Sequence, residues 1–235
     1  MIADNYHKVI ERILVAADKA GRDPADIRLV VVTKGHPIES VKEVVDAGAC
    51  NLGENYLEEA VPKIKTLAGY TEIVWHMVGH IQSRKARSVC ENFHRVDSLD
   101  RIKLANRLER FAGELRLTIP VLLECNVSGE QSKYGFPAWD ELRWLQLLPQ
   151  IEKVVNLKSI KVCGLMTMPP YFSNAEEARP YFQKLAQLRE FLEEHLPQAD
   201  WADLSMGMSN DFEVAIQEGS TMVRIGTAVL GERKS

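Results

Sequence analysis

The sequence is poor in the residues that build covalent or metal-held scaffolds. Its four cysteines, Cys50, Cys90, Cys125 and Cys163, lie far apart in 235 residues. They form no paired motif, so neither a disulfide framework nor a zinc ribbon is expected. Each stands in an apolar context, which reads as a buried free thiol in a reducing cytoplasm. No run of about 18 apolar residues occurs, so no membrane span is expected. The start, "MIADNYHKVIERILVAADKAG", has no unbroken apolar core and carries Asp4, Glu11 and Asp18. It does not read as a signal peptide. Positive charge is not in excess: the net charge is −4, so a broad nucleic-acid footprint is not expected. The cluster Arg84, Lys85 and Arg87 reads as a solvated helix face. There is no Pro/Gly/Ser-rich linker, low-complexity segment or short repeat, and residues 1–235 read as one domain.

What is present is an ordinary globular balance, 46% hydrophobic and 26% charged. Residues 3–20 carry Tyr6, Val9, Ile10, Ile13, Leu14 and Ala17 on one stripe at helical spacing. A strand follows at 29–33, and Pro37 opens a helix that ends at Gly48. The alternation continues. Strand signals at "CNLGEN", "IVWHMVGH", "FHRVDS", "IPVLLECNV", "IKVCGLMTM", "ADLSMGMS" and "TMVRIGTAVLG" are separated by helical segments at 56–67, 83–90, 99–115, 139–148, 175–195 and 211–218. The strand runs are continuously apolar, which suits strands covered on both faces. Eight such units predict an α/β, single-domain (β/α)8 TIM barrel with an extra N-terminal helix. A doubly wound open sheet is the structural rival.

In a barrel the site lies at the C-terminal strand ends. Those ends offer Lys34, Glu54 and Asn55, His80, Asn126, Met166 and Thr167, the "SMGMSND" stretch, and Arg224 with Gly226 and Thr227. Barrels often hold a phosphate after strands seven and eight, where Gly207 and Gly226 let an anion approach the backbone. Ser209 or Asn210 can cap the next helix, and Asn210 with Glu213 has capping-box spacing. The bland alternative is a set of ordinary turn and cap residues. A lysine in a poorly solvated mouth has its charged form disfavoured, and a neutral amine can form a Schiff base with an aldehyde. A phosphate-bearing aldehyde means pyridoxal 5′-phosphate (PLP), with Arg224 as the partner of its pyridine nitrogen. The competing reading has the Lys34 amine paired with a carboxylate such as Glu54. His76 and His80, four apart, would suggest a metal only on a helix; here they fall in a strand signal without a nearby carboxylate. "GTAVLGERKS" lacks the ending of a nucleotide phosphate loop.

The motifs "VVTKGHP", "NLGENYLEEAVPKI", "WHMVGHIQSRKAR", "NVSGEQSKYGF", "GLMTMPP", "ARPYFQKLAQLR" and "LSMGMSNDFEVAIQEGSTMVRIGTAVLG" together resemble the pyridoxal phosphate homeostasis proteins, the YggS/PROSC group. The resemblance runs from Leu29 to Gly231. It implies a single barrel similar to the N-terminal barrel of alanine racemase, with PLP as cofactor. It implies Lys34 as the Schiff-base lysine, Arg224 facing the pyridine nitrogen, and Ser209, Gly226 and Thr227 around the phosphate. Asn55 and His80 are implied to line the cofactor. The family is regarded as a PLP carrier and regulator without established catalysis. That implies no catalytic residues, PLP-dependent apoenzymes as acceptors, a monomer, and a cytoplasmic location. The alternative is an amino-acid racemase, which would need an acid and a base on opposite cofactor faces. Lys34 supplies one; Tyr56 and Tyr134 are the only loop tyrosines to weigh for the other. The second domain of such racemases is not expected here. A barrel acting on phosphate sugars would leave the Lys34 and Arg224 pairing unexplained. The sequence departs from the family at Gly35, where Thr or another side chain is usual, and at Arg84, where Asn is common. Gly35 is expected to loosen the lysine loop.

Overall fold

The structure, a computed structural model, describes residues 1–232. The last three residues of "GTAVLGERKS", and with them the end of the expected 1–235 domain, lie outside the described residues. Eight strands form a closed parallel barrel: β1 (Arg28–Val32), β2 (Asn51–Glu54), β3 (Val74–Met77), β4 (Arg95–Leu99), β5 (Ile119–Asn126), β7 (Ile160–Met166), β8 (Asp203–Ser205) and β9 (Met222–Ile225). A two-residue strand, β6 (Phe136–Pro137), adds to the end of β5. The ring closes where β4 pairs with β5 and where β1 pairs with β9. This closure excludes the open-sheet alternative.

The helices are α1 (Ile2–Lys19), α2 (Ile38–Asp46), α3 (Leu57–Thr66), α4 (Ala86–Asn92), α5 (Ile102–Leu115), α6 (Trp144–Val155), α7 (Arg179–His195), α8 (Phe212–Gln217) and α9 (Thr227–Leu230). The extra helix α1 packs on α8 and α9. Val9, Ile13, Ala16 and Ala17 are its buried residues. Polar bonds fix its seat: Asn5 donates to the Val229 carbonyl, and Arg22 to the carbonyls of Ile216 and Ser220.

Two boundaries differ from the sequence reading for physical reasons. The helix expected over 139–148 instead runs as α6 through Pro149. Its buried stripe, Trp144, Leu147, Ile151 and Val154, continues past the proline, and that burial outweighs one missing helix hydrogen bond. The segment 221–231 is strand only to Ile225. Gly226 turns the chain, and the remainder is α9.

Most of the core lies between the barrel and the helices. A small second cluster, Val30, Leu122, Met166 and Met222, fills the barrel interior. Below it a polar chain crosses the floor. Asn51 Oδ1 meets His76 Nε2 at 3.1 Å, and His76 Nδ1 meets Asp97 Oδ2 at 2.6 Å. Arg95 bridges Asp97 Oδ1 (2.8 Å) and Asp203 Oδ2 (2.7 Å). His76 is thus part of a buried network, and it does have a carboxylate beside it, supplied by β4. No group of side chains able to hold a metal ion occurs among the described residues. Nor is any described helix long and apolar enough to cross a membrane.

Candidate functional site

Lys34 stands two residues beyond the end of β1, in a turn that α3 holds from both sides. Thr33, just before it, is fully buried. Its hydroxyl donates to Glu54 Oε1 at 2.6 Å, and its carbonyl accepts from Lys63 Nζ at 2.8 Å. Lys63 also closes on Glu54 Oε1 at 2.6 Å. The Glu54 Oε1 atom is therefore shared by Lys63 and Thr33. Burial pushes the Glu54 carboxyl above its usual range, while Lys63 and Thr33 pull it back. On the far side of the lysine, the Gly35 N–H donates to Glu59 Oε2 at 2.7 Å. Gly35 has φ +71°, in the left-handed region, where a glycine carries no steric cost. The glycine fits its turn, and its N–H ties that turn to α3.

Arg224, on β9, is only 4% exposed. Nη1 donates to Ser205 Oγ at 2.6 Å and Nη2 to the Thr167 carbonyl at 2.8 Å. Burial lowers its proton affinity, and the charges of Asp97, Glu124 and Asp211 oppose that loss. Arginine keeps its charge in such a setting. The structure thus fixes a planar cation on two neutral acceptors, Ser205 from β8 and Thr167 beyond β7.

The loops after β8 and β9 meet beside it. Ser209 Oγ accepts the Ala228 N–H at 3.3 Å, joining the two loops directly. The capping box expected from Asn210 and Glu213 does not form. The Asn210 side chain donates to the Phe172 carbonyl at 2.9 Å, and the helix begins at Phe212. Asp211 Oδ1 accepts the Met208 N–H at 2.6 Å, bracing the loop from within. Gly207 has φ +95°, and a Cβ there would sit 2.7 Å from that of Ala215. Only a glycine lets this loop lie so close to α8.

One cavity of about 260 Å³ gathers these parts. Lys34, Asn55, Ser209, Arg224, Gly226 and Thr227 all line it. Of the strand-end candidates, Glu54, Asn126, Met166 and Thr167 do not line it, and of the residues the family resemblance places on the cofactor His80 is the exception. It lies in a neighbouring cleft of about 410 Å³ that shares Asn55, Val78 and Met168 with the first. His80 Nδ1 meets Asp100 Oδ2 at 3.0 Å, and its ring stacks on Tyr134 with centroids 3.8 Å apart. Tyr56 and Tyr134 line this second cleft as well. Asn55 is pressed into place by Gly79, where a Cβ would fall 2.5 Å from the Asn55 carbonyl oxygen.

The sequence reading missed several contributors. Ser205, which holds Arg224, carried a weak signal as a buried-strand hydroxyl facing no obvious partner. Thr167 stood among the strand ends, but its use is through a backbone carbonyl, which side-chain chemistry does not foretell. Tyr171 and Phe172 form part of the cavity wall, from a loop that periodicity passes over. With Val32, Val78, Met168, Ala175, Ala178 and Met208 they make a largely apolar wall opposite the polar groups.

Comparisons with known proteins bear on the family and the fold. The family model described as alanine racemase, N-terminal domain, matches residues 5–234. A pyridoxal phosphate homeostasis protein of Pseudomonas aeruginosa is 45% identical over 235 residues, covering 99% of this chain and 96% of the relative. PipY of Synechococcus elongatus, solved with PLP bound, superposes with a TM-score of 0.83 at 31% identity, over 98% of this chain and 100% of that one. An alanine racemase of Clostridium difficile shares the fold at 18% identity and a TM-score of 0.65, with 96% of this chain against 57% of that one.

Proposed function

The chain belongs to the alanine racemase N-terminal domain family and, within it, to the pyridoxal phosphate homeostasis proteins, and from that membership we propose that it holds PLP on Lys34 as a carrier rather than as a catalyst. The observation that carries the assignment is the shared cavity: an amine, a buried guanidinium and two hydroxyls converge from β1, β8 and β9. That donor set fits the group. When bound, PLP supplies an aldehyde carbon open to a primary amine, a ring nitrogen and a phosphate.

Lys34 is the amine that the aldehyde would meet, and the Thr33–Gly35 turn limits where its side chain can reach. Arg224 would face the ring nitrogen. A cation there keeps that nitrogen unprotonated, which weakens the ring as an electron sink. Ser209, Thr227 and the backbone at Gly226 would hold the phosphate, through donors that need no counter-charge of their own. Asn55 borders the ring. His80 would act from the neighbouring cleft rather than on the ring's own seat. The described residues work as one cofactor-binding domain, in the cytoplasm, as a monomer, with PLP-dependent apoenzymes as acceptors of the cofactor. The low electron demand imposed by Arg224 supports a holding role.

Lys34→Ala tests the assignment. The protein is expected to give a yellow adduct that borohydride reduces and fixes to the tryptic peptide containing Lys34. The variant should give none. An adduct of equal yield in Lys34→Ala would overturn it.

A further inference from the structure

The second cleft holds a charge that nothing in the cofactor assignment uses. Glu124, on β5, is 95% buried and lines that cleft. Among the described residues no hydrogen-bond donor reaches its carboxyl. The two arginines nearest in charge are committed elsewhere: Arg224 to Ser205 and Thr167, and Arg101 to Asp100, the Ile81 carbonyl and Ser83. A carboxylate on the wall of a cleft, with few protein partners and little water around it, gains from a donor placed in that cleft. The adjoining walls are apolar, with Met77, Val78 and Ile81. At the rim stand Lys85, paired with Glu58, and His80, paired with Asp100.

We propose that this cleft is a binding site for a small primary ammonium compound, with the charged nitrogen on the Glu124 carboxylate and the aliphatic part along Met77, Val78 and Ile81. The acceptor is one buried carboxylate, which an ammonium with three donors satisfies. The pocket beyond it rewards a short hydrocarbon chain. A carboxylate on the same ligand would meet Lys85 and His80 at the rim, so the ligand is either a simple alkylamine or an amino acid. The site is independent of what fills the first cavity, although the two share a wall.

The test is isothermal titration with propylammonium chloride, after borohydride treatment of the protein. That treatment fixes any cofactor on Lys34, so exchange of amines there adds no heat. If no cofactor is present, the cleft is titrated just the same. Saturable binding is expected, weaker by roughly ten-fold or more in Glu124→Gln, the cost of one charge-assisted bond. Burial and the Asp100 charge push the Glu124 carboxyl up to about 7, against Arg224 and Arg101. An ammonium binds the ionised form, so wild-type affinity should rise several-fold from pH 6 to pH 8. Among the described residues, Tyr56, His80, Lys85, Asp100, Arg101, Tyr134 and Arg224 are the other charged or titratable groups around that cleft. The slope should persist in His80→Gln. L-alanine binding more tightly than propylammonium would assign the rim to a carboxylate. No saturable heat, equal affinity in a folded Glu124→Gln, or a flat pH profile would each overturn the proposal. The pH profile needs only the wild type and so decides even if the variant fails to fold.

Discussion

At the scale of single residues, the candidate site is governed by charges that have lost their water. Arg224 is the central case: its hydrogen bonds go to two neutral acceptors, and the carboxylates of Asp97, Glu124 and Asp211 act on it only through their charge. Arg224→Glu should therefore do more than remove a contact. It should place an anion where a ring nitrogen can take a proton, shifting the visible band and weakening PLP retention by ten-fold or more. An unchanged spectrum with unchanged retention on dialysis would speak against the ring contact. Glu124 makes a second prediction through its raised proton affinity. A carboxyl whose folded pKa lies above its unfolded one stabilises the fold below the unfolded value, and that stability is lost as pH rises toward the folded one. Between pH 5 and pH 8 the wild type should lose stability relative to Glu124→Gln. Thermal melts of both across that range measure it; parallel curves would contradict the assignment. Lys34 and Arg224 were legible in the sequence because a charge at the end of an apolar run is anomalous on its face. Glu124 escaped notice because it lies within such a run, and only the fold shows that no hydrogen-bond donor among the described residues reaches it.

At the scale of elements, α3 carries the lysine turn. Lys63 is a helix residue, 7% exposed, whose ammonium enters the barrel mouth to hold Thr33 and Glu54. Removing it strands a buried carboxylate, so Lys63→Met should cost about 3–5 kcal/mol. The double variant with Glu54→Gln should recover most of that, because the stranded charge is gone. A double variant no more stable than Lys63→Met, measured by urea denaturation, would show that the pair is not coupled. Elements were the most readable part of the sequence. All eight strands fall within the expected runs or one residue beyond them, since apolar continuity marks a doubly covered strand wherever it occurs. The helix ends were less readable. Pro149 and Gly226 act through the competition between local backbone preference and tertiary burial, and sequence spacing displays only the first. The Asn210 and Glu213 pattern failed for the same reason: the side chain found a carbonyl on another loop, at Phe172.

At the scale of the whole molecule, the barrel is braced through its floor. Arg95 on β4 reaches Asp203 on β8, strands far apart around the ring. His76 and Arg95 hold the fully buried Asp97 carboxyl down at about 2 against the cost of burial. A depressed carboxyl contributes stability above its unfolded value, near 4, and loses it as pH falls through the folded one. The acid limb of the melting curve should accordingly steepen from about pH 4 toward pH 2, and Asp97→Asn should flatten it while costing stability at pH 7. An acid limb unchanged in the variant would relocate the acid sensitivity to other carboxyls.

The seam between β1 and β9 has a consequence for how the protein is made. Val30 lies in register with Arg224, and Val31 with Ile225. The amine and the cation that would hold the cofactor thus come from the two strands that meet at this seam, β1 and β9. While the chain is still on the ribosome, Lys34 emerges early and waits without Ser209, Arg224 or Gly226. The seat proposed for PLP is therefore complete only once the ring has closed. On the proposed assignment, loading with PLP is expected to require the folded barrel, so uptake would be a property of the finished protein.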